Sequence, residues 1–202
     1  MKLSSIKKEK KKENQPENLG VSGTISIMKV LEEAGLSEDV LVSTAMELYV
    51  PHPGVETLAI ARKVFKREMK HALSDPNLSI LMYAGMLLEN AGEKGELPGM
   101  TKETFKKDLT FLIVDEVIGM SIAKYISGDK GIFEYVRFDK LKPGILSKLG
   151  PFMDDVIAGL IGGTSANMYS RGNKDSEKPV KKTKKKATRP KRVKVEKVGF
   201  AG

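Results

Sequence analysis

The helical spacing of apolar residues between the two ends of the chain restricts the fold more than any other feature. Six stretches between residues 24 and 170 place apolar side chains every three or four positions, and Gly or Pro residues separate them. A further stretch, 135–150, is a short helical or loop element interrupted by Pro143. "TFLIV" (110–114) resembles a strand locally, but the apolar period through Ile126 favours a helix. The sequence therefore predicts an all-α fold, a compact helical bundle.

The positive charge of the chain lies at its two ends. The 202 residues carry a net charge of +9, yet residues 20–170 carry −4. We predict a helical domain at 20–171 between a disordered basic N-terminal segment (1–19) and a disordered lysine-rich tail (172–202). The mildly acidic domain does not fit a nucleic-acid-binding fold. The tail either aids solubility or contacts nucleic acid or an anionic membrane, and both interpretations stay open.

Composition excludes several classes of site. The chain has no Cys, which removes disulfides, zinc–thiolate sites and cysteine nucleophiles. The first residues are basic but lack the apolar core of a signal peptide. The apolar runs are shorter than the ~20 residues that span a bilayer. We therefore expect a soluble, cytoplasmic protein.

Two of the most apolar helices each carry a pair of adjacent acids. Asp115 and Glu116 precede Gly119, and Asp154 and Asp155 precede Gly159. In each helix an Asp lies four residues before the Gly, so the two share one face. Glycine costs about 1 kcal/mol in a helix interior relative to alanine, which is reasonable where two helices cross closely. Such a crossing would bring Asp115 and Asp155 face to face.

Facing carboxylates in an apolar interface need compensation. Hard cations such as Mg²⁺ take oxygen ligands, so the sequence predicts a divalent-metal site. The alternative for each acid alone is a charge that favours the start of its helix. Between the two helices, "FDKLKPGI" offers Asp139 as a third carboxylate and Lys142 as a phosphate-binding cation. The alternative there is an exposed ion pair of little energetic value.

These motifs together resemble those of a known family. "DEVIG" (115–119), "DKLKP" (139–143) and "DDVIAG" (154–159) follow one another as in the phosphatidylglycerophosphatase A family. The resemblance implies a Mg²⁺-dependent phosphatase. Membrane members of the family add transmembrane helices and a Gly-rich apolar segment near the N-terminus, neither of which this sequence shows. A soluble, all-helical branch matches better through "PHPG", with His52, and "KREMKHA", with Arg67 and His71.

The resemblance also implies roles for individual residues. Asp115, Asp139 and Asp155 would hold Mg²⁺ or another divalent cation, and Lys142 would neutralise phosphate charge. Catalytic roles, as further ligands or as the base for water, would fall to Glu116 and Asp154. Substrate contacts are expected from His52, Arg67 and His71, for which an exposed position without a role is the alternative.

The soluble branch includes archaeal enzymes that act on α-ribazole phosphate in adenosylcobalamin biosynthesis. We therefore expect hydrolysis of a small phosphomonoester, α-ribazole phosphate or its cobalamin-attached form. Two alternatives stay open: phosphatidylglycerophosphate as substrate, or a non-enzymatic helical protein that binds partners through its basic tail. Self-association also remains open.

Overall fold

The computed structural model describes residues 25–107 and 112–176. These residues contain no β-strand, so the predicted all-α class is confirmed. They form seven α-helices and one 3₁₀ helix: α1 (Ile27–Glu33), α2 (Glu38–Glu47), α3 (Leu58–Leu73), α4 (Pro76–Lys94), α5 (Lys102–Phe105), α6 (Val114–Leu141), the 3₁₀ helix (Leu146–Lys148) and α7 (Pro151–Ser176).

The helix ends follow local capping chemistry. Ser37, Thr57 and Asp75 each accept a backbone hydrogen bond at the start of α2, α3 and α4, as N-cap residues do. Helix α4 continues past Gly92, where the sequence predicts its end, and stops at Gly95. Gly95 has a φ of 77°, the left-handed conformation that Gly adopts readily after a helix.

Helix α6 is a hairpin rather than one straight rod. The chain leaves helical geometry at Ser127 and at Gly128, whose φ of 61° suits glycine. The two halves then run side by side, since a Cβ on Gly131 would lie 2.1 Å from the Ala123 carbonyl oxygen. The sequence predicts the break at Gly128 but leaves the second half partly as a loop. That half is helical, and it lies beside the first half at Gly119, where a Cβ would lie 2.7 Å from Tyr135 Cε2.

Helix α7 is the central element of the bundle. Residues 152–168 are buried without interruption, so the helix is enclosed by its neighbours on every side. It continues to Ser176, beyond the predicted domain end at 171. In the described ranges, no helix combines the length and apolarity needed to cross a membrane. The predicted segment 1–19 and nearly all of the predicted tail lie outside the described residues.

Candidate metal centre

The first half of α6 crosses α7 at two glycines. A Cβ on Gly119 would lie 2.7 Å from the carbonyl oxygen of Asp155, and one on Gly159 would lie 2.4 Å from the carbonyl oxygen of Gly119. Neither position admits a larger side chain without movement of the backbone. The predicted crossing is therefore confirmed, and it places the acidic ends of the two helices together.

Three carboxylates meet at this crossing. Asp115, Glu116 and Asp155 each offer an oxygen within 4.8 Å of the others, and we call these three residues the acidic cluster. Asp115 is 2% exposed and Asp155 is 4% exposed. The hydroxyl of Tyr135, on the second half of α6, donates a hydrogen bond to Asp155 Oδ1. The Glu116 amide donates to Asp115 Oδ1 at 3.0 Å.

Burial and mutual repulsion shift the protonation of the cluster. Burial raises the pKa of Asp115 to about 8, and the neighbouring carboxyl of Glu116 contributes in the same direction. Burial also raises the pKa of Asp155 to about 7, although the hydrogen bond from Tyr135 opposes the shift. The charges of Asp154 and Asp139 add to that increase. Both shifts show that negative charge is costly here in the absence of a cation.

The acidic cluster fits a divalent cation. Its donors are all carboxylate oxygens, which hard cations prefer. Glu116 Oε2 is buried and has no hydrogen-bond partner, although buried polar atoms normally have one. A bound cation would satisfy this oxygen and would offset the repulsion that raises both pKa values. Asp115, Glu116 and Asp155 could therefore hold a metal ion.

Lys142 and Asp154 form an ion pair beside the cluster. Lys142 Nζ donates to Asp154 Oδ2. Lys142 ends α6 with a φ of 39°, and among the described residues other than glycine it alone has a positive φ. This conformation costs about 1–2 kcal/mol for a residue with a Cβ. Strain of this kind is concentrated at functional sites, which fits the role that the sequence analysis gives to this lysine.

Asp139 lies near the cluster but outside the group of three. Its negative charge helps to raise the pKa values of Asp155 and Tyr135, so it is electrostatically close to both. It is not one of the three residues whose carboxylate oxygens all lie within 4.8 Å of one another. The assignment of Asp139 as a metal ligand stays a prediction.

Arg67 and His71 do not meet the acidic cluster. Arg67 pairs with Glu68 at 2.8 Å. His71 lines a cavity of 410 Å³ together with Asn167 and Arg171 of α7. Asn167 lies twelve residues after Asp155, which corresponds to about 18 Å along a helix. The structure thus holds both residues at another part of the bundle, and their contact with substrate stays a prediction.

His52 also lies away from the cluster. Its ring packs against Tyr169 at a centroid distance of 5.6 Å. The two residues line a cavity of 370 Å³ with Lys130 and Phe133. Tyr169 is fourteen residues beyond Asp155 on α7, about 21 Å along the axis. The predicted substrate contact of His52 therefore has no support from its position.

The sequence analysis does not identify two residues that contact the site, Tyr135 and Glu89. Tyr135 binds Asp155 only because α6 folds back on itself, which the apolar period does not reveal. Glu89 accepts hydrogen bonds from the first amides of α7. Glu89 could have been identified from the sequence, since it is an acid within an apolar stretch, with Gly85 four residues before it and Gly92 three residues after it.

A cavity opens beside the ion pair. It has a volume of 270 Å³ and is lined by Asp154, Gly150, Pro151 and Leu149 on one side, and by α4 and α5 on the other. The α4 and α5 side contributes Glu89, Glu93, Phe105 and neighbouring Lys106. Asp154 thus borders both the acidic cluster and a space that a ligand can occupy.

Comparison with known proteins identifies the family. The family model described as phosphatidylglycerophosphatase A matches residues 40–169, well over half of the chain. The chain belongs to the phosphatidylglycerophosphatase A family. The matched range contains every residue of the acidic cluster, together with Asp139, Lys142 and Asp154.

The relatives extend the likeness to whole proteins. The chain is 35% identical to the uncharacterized protein MJ1330 of Methanocaldococcus jannaschii over 132 residues, which are 63% of this chain and 99% of that protein. It is 28% identical to the uncharacterized protein YutG of Bacillus subtilis over 57% of this chain and 68% of that protein.

Solved structures share the fold. The low temperature requirement C protein of Listeria monocytogenes superposes with a TM-score of 0.62 at 25% identity, over 72% of this chain and 93% of that one. Protein ypjQ of Bacillus subtilis superposes with a TM-score of 0.61 at 21% identity, over 74% of this chain and 93% of that one.

Proposed function

We propose that the chain is a Mg²⁺-dependent phosphatase that hydrolyses a small phosphomonoester, α-ribazole phosphate or its cobalamin-attached form. The observation that carries the proposal is the acidic cluster: three carboxylates at a buried helix crossing, one with an unsatisfied oxygen. Family membership supports phosphatase chemistry. The cation, the substrate and the role of each residue belong to the proposal.

The residues divide the work of hydrolysis as follows. Asp115, Asp139 and Asp155 would hold the cation. Glu116 would be a further ligand or the base that takes a proton from water. When bound, Mg²⁺ neutralises charge on the phosphoryl group and makes a water molecule more acidic. The Lys142 ammonium attracts the phosphate, and Asp154 holds that ammonium in place.

The reaction transfers the phosphoryl group to water. The water oxygen bonds to phosphorus while the bond from phosphorus to the alcohol oxygen breaks. A carboxylate, Glu116 or Asp154, takes the proton from the attacking water, and the departing alcohol oxygen takes up a proton. The products are inorganic phosphate and the free alcohol.

Two observations favour a small leaving group. The cavity beside Asp154 measures 270 Å³, just below the usual range of about 300–1,000 Å³ for ligand pockets. The sequence around the site, "RFDKLKPGIL" (137–146), resembles that of archaeal enzymes that act on α-ribazole phosphate. A nucleoside-like alcohol such as α-ribazole suits such a space better than phosphatidylglycerol, the alcohol that phosphatidylglycerophosphate would release.

The decisive experiment compares two substrates under the same conditions. We expect Mg²⁺-dependent release of phosphate from α-ribazole phosphate, with kcat/KM at least about tenfold above that for dispersed phosphatidylglycerophosphate. Such a ratio needs only about 1.4 kcal/mol of differential transition-state binding. An equal or reversed preference would assign the chain to lipid phosphate hydrolysis.

The same samples test the non-enzymatic alternative. A ligand that binds only the native state raises its melting temperature. We expect Mg²⁺ to raise the melting temperature of the wild-type protein but not that of an Asp155→Asn variant. If Mg²⁺ has no effect on the wild type and no phosphomonoester is hydrolysed, the acidic crossing is structural and the proposed function is wrong.

A further inference from the structure

Helix α7, which carries Asp154 and Asp155, begins without a capping side chain of its own. Gly150 precedes the helix, and its carbonyl oxygen accepts a hydrogen bond from the Asp154 amide at 3.0 Å. Helices usually have Ser, Thr, Asp or Asn at this position, because the side chain accepts from the amide two or three residues further on. Gly150 cannot do this, so the amides of Phe152 and Met153 need another acceptor.

Glu89 of α4 supplies the missing acceptor from elsewhere in the chain. Its Oε2 accepts from the Phe152 amide at 2.9 Å and from the Met153 amide at 3.1 Å. Pro151, the first residue of the helix, has no N–H to satisfy. Glu89 is 8% exposed, and its negative charge lies at the helix end that favours an anion. A buried carboxylate thus replaces the ordinary N-cap.

The glycine at position 150 is explained by the same carboxylate. A Cβ there would lie 1.8 Å from Glu89 Oε1, so any side chain would collide with it. Gly150 does not have a positive φ, which means that its backbone conformation does not call for glycine. Gly85 and Gly92 allow the same helix to pack closely on its neighbours, since a Cβ would lie 2.4 Å from Val156 at Gly85 and 2.5 Å from Phe105 at Gly92.

We propose that Glu89 is a positioning residue for the acidic cluster: it fixes the first turn of α7 and thereby the location of Asp154 and Asp155. The inference deepens the proposed function and rests on it. Displacement of a reacting group by about 1 Å can cost about 100-fold in rate. Loss of this cap is therefore expected to weaken metal binding and turnover together.

The test uses the full-length protein and four variants. Glu89→Ala removes the acceptor, and Glu89→Gln keeps an oxygen acceptor without the charge. Glu96→Ala is the control, because Glu96 is an exposed acid just after α4 and lies outside the cavity beside Asp154. The fourth variant combines Glu89→Ala with Gly150→Ser, which returns an ordinary N-cap to a position that no longer clashes.

Three measurements separate a positioning role from others. Hydrogen exchange of the peptide covering 150–156 reports the first turn of α7, Mn²⁺ titration reports the cluster, and steady-state kinetics report kcat and KM. For Glu89→Ala we expect faster exchange, at least about a tenfold loss of Mn²⁺ affinity and a lower kcat with little change in KM. Glu89→Gln should stay within about threefold of wild type, and Glu96→Ala should match the wild type.

The double variant decides the mechanism. If Glu89 acts only by capping, Glu89→Ala with Gly150→Ser recovers slow exchange, Mn²⁺ affinity and kcat. Recovery of slow exchange without recovery of Mn²⁺ affinity would overturn the proposal, since Glu89 would then act on metal or substrate directly. Unchanged exchange in Glu89→Ala would also overturn it. A wild-type protein that neither binds Mn²⁺ nor hydrolyses phosphomonoesters would instead refute the proposed function, and the exchange measurements would still decide the cap.

Discussion

Two sites with buried carboxylates lie at different points along α7: Glu68 forms one, and the acidic cluster forms the other. Their hydrogen-bond partners differ. Glu68, which is 3% exposed, accepts from Arg67 at 2.8 Å through Oε1 and from Arg171 at 2.8 Å through Oε2. Asp115 and Asp155 of the acidic cluster instead accept from a backbone amide and a phenol. In the part of the chain that the structure describes, no lysine or arginine forms a salt bridge with either of them.

The difference separates a structural carboxylate from a functional one. A buried charge is unfavourable unless it is paired and hydrogen-bonded. The two guanidinium groups already balance Glu68, so that site requires nothing from outside. Among the described residues, no lysine or arginine forms a salt bridge with Asp115 or Asp155, and burial raises the pKa values of both. An external cation is a partner that could balance such a group.

The largest expected effect is that of Asp155→Asn. This substitution keeps the shape of the side chain but removes one ligand charge, so kcat should fall by about 10²–10³ or more. The metal-free variant should melt at the same temperature as wild type or higher, because repulsion within the cluster is relieved. Steady-state kinetics and thermal melts check both outcomes.

Glu68→Gln is the matched control for Asp155→Asn. It removes a carboxylate of similar burial at the paired site, and the turnover of the folded protein should stay near the wild-type value. Near-normal turnover in Asp155→Asn, or a comparable loss in Glu68→Gln, would abolish the distinction between the two groups.

Lys142→Ala should have the next largest effect. Removal of the ammonium beside Asp154 takes away the cation that would attract substrate phosphate, and kcat/KM should fall by about tenfold to 100-fold. Lys140→Ala, an exposed position near the same end of α6, is the control and should leave kcat/KM unchanged. An unaffected Lys142→Ala variant would leave the lysine with no role beyond its ion pair.

The sequence predicts the helix crossing at the acidic cluster for a physical reason. An Asp four residues before a Gly shares a face with it on any regular helix, and glycine permits close crossing. The approach of Asp115 and Asp155 follows from those two facts alone. The caps at Ser37 and Asp75 are equally local, which is why the ends of several helices could be predicted.

The residues that the sequence analysis missed or misplaced depend on contacts between distant segments. Tyr135 reaches Asp155 because Gly128 reverses the chain, and Glu89 reaches α7 because α4 packs against its start. Arg67 and His71 do share one face of α3, as predicted. Which part of α7 that face approaches is decided by packing, here at Arg171, and no local spacing encodes it.

The two variants should rank in the opposite order for stability. Glu68→Gln should lower the free energy of unfolding, whereas Asp155→Asn should lower activity and not stability. Glu68→Gln leaves Arg67 and Arg171 without their shared carboxylate and weakens three charged hydrogen bonds. Because both arginines remain about half exposed, the cost should be about 1–3 kcal/mol rather than that of a fully buried pair. Urea unfolding measures it. A loss within error of zero would mean that the paired site contributes specificity rather than stability.

The smallest effect concerns pH and the metal-free protein. The folded-state pKa values of Asp115 and Asp155 are raised to about 8 and about 7, above their values in the unfolded chain. The folded state therefore binds more protons, and its stability falls as pH rises from about 5 to about 8. Burial raises the pKa of Glu89 in the same direction. We expect the melting temperature in EDTA to fall by several degrees over this range.

Added Mg²⁺ and the Asp155→Asn variant test which groups cause the fall in melting temperature with pH. Carboxylates whose pKa is lowered in the folded protein, such as Asp75, lose their contribution only as pH falls below about 4. The change in stability between about pH 5 and about pH 8 thus reports mainly the carboxyls whose pKa values are raised. Saturating Mg²⁺ favours the ionised cluster and should flatten or reverse the slope, and Asp155→Asn should flatten it without metal. A steep fall that persists in both cases would place the titrating groups outside the acidic cluster, and the contrast with Glu68 would lose its electrostatic basis.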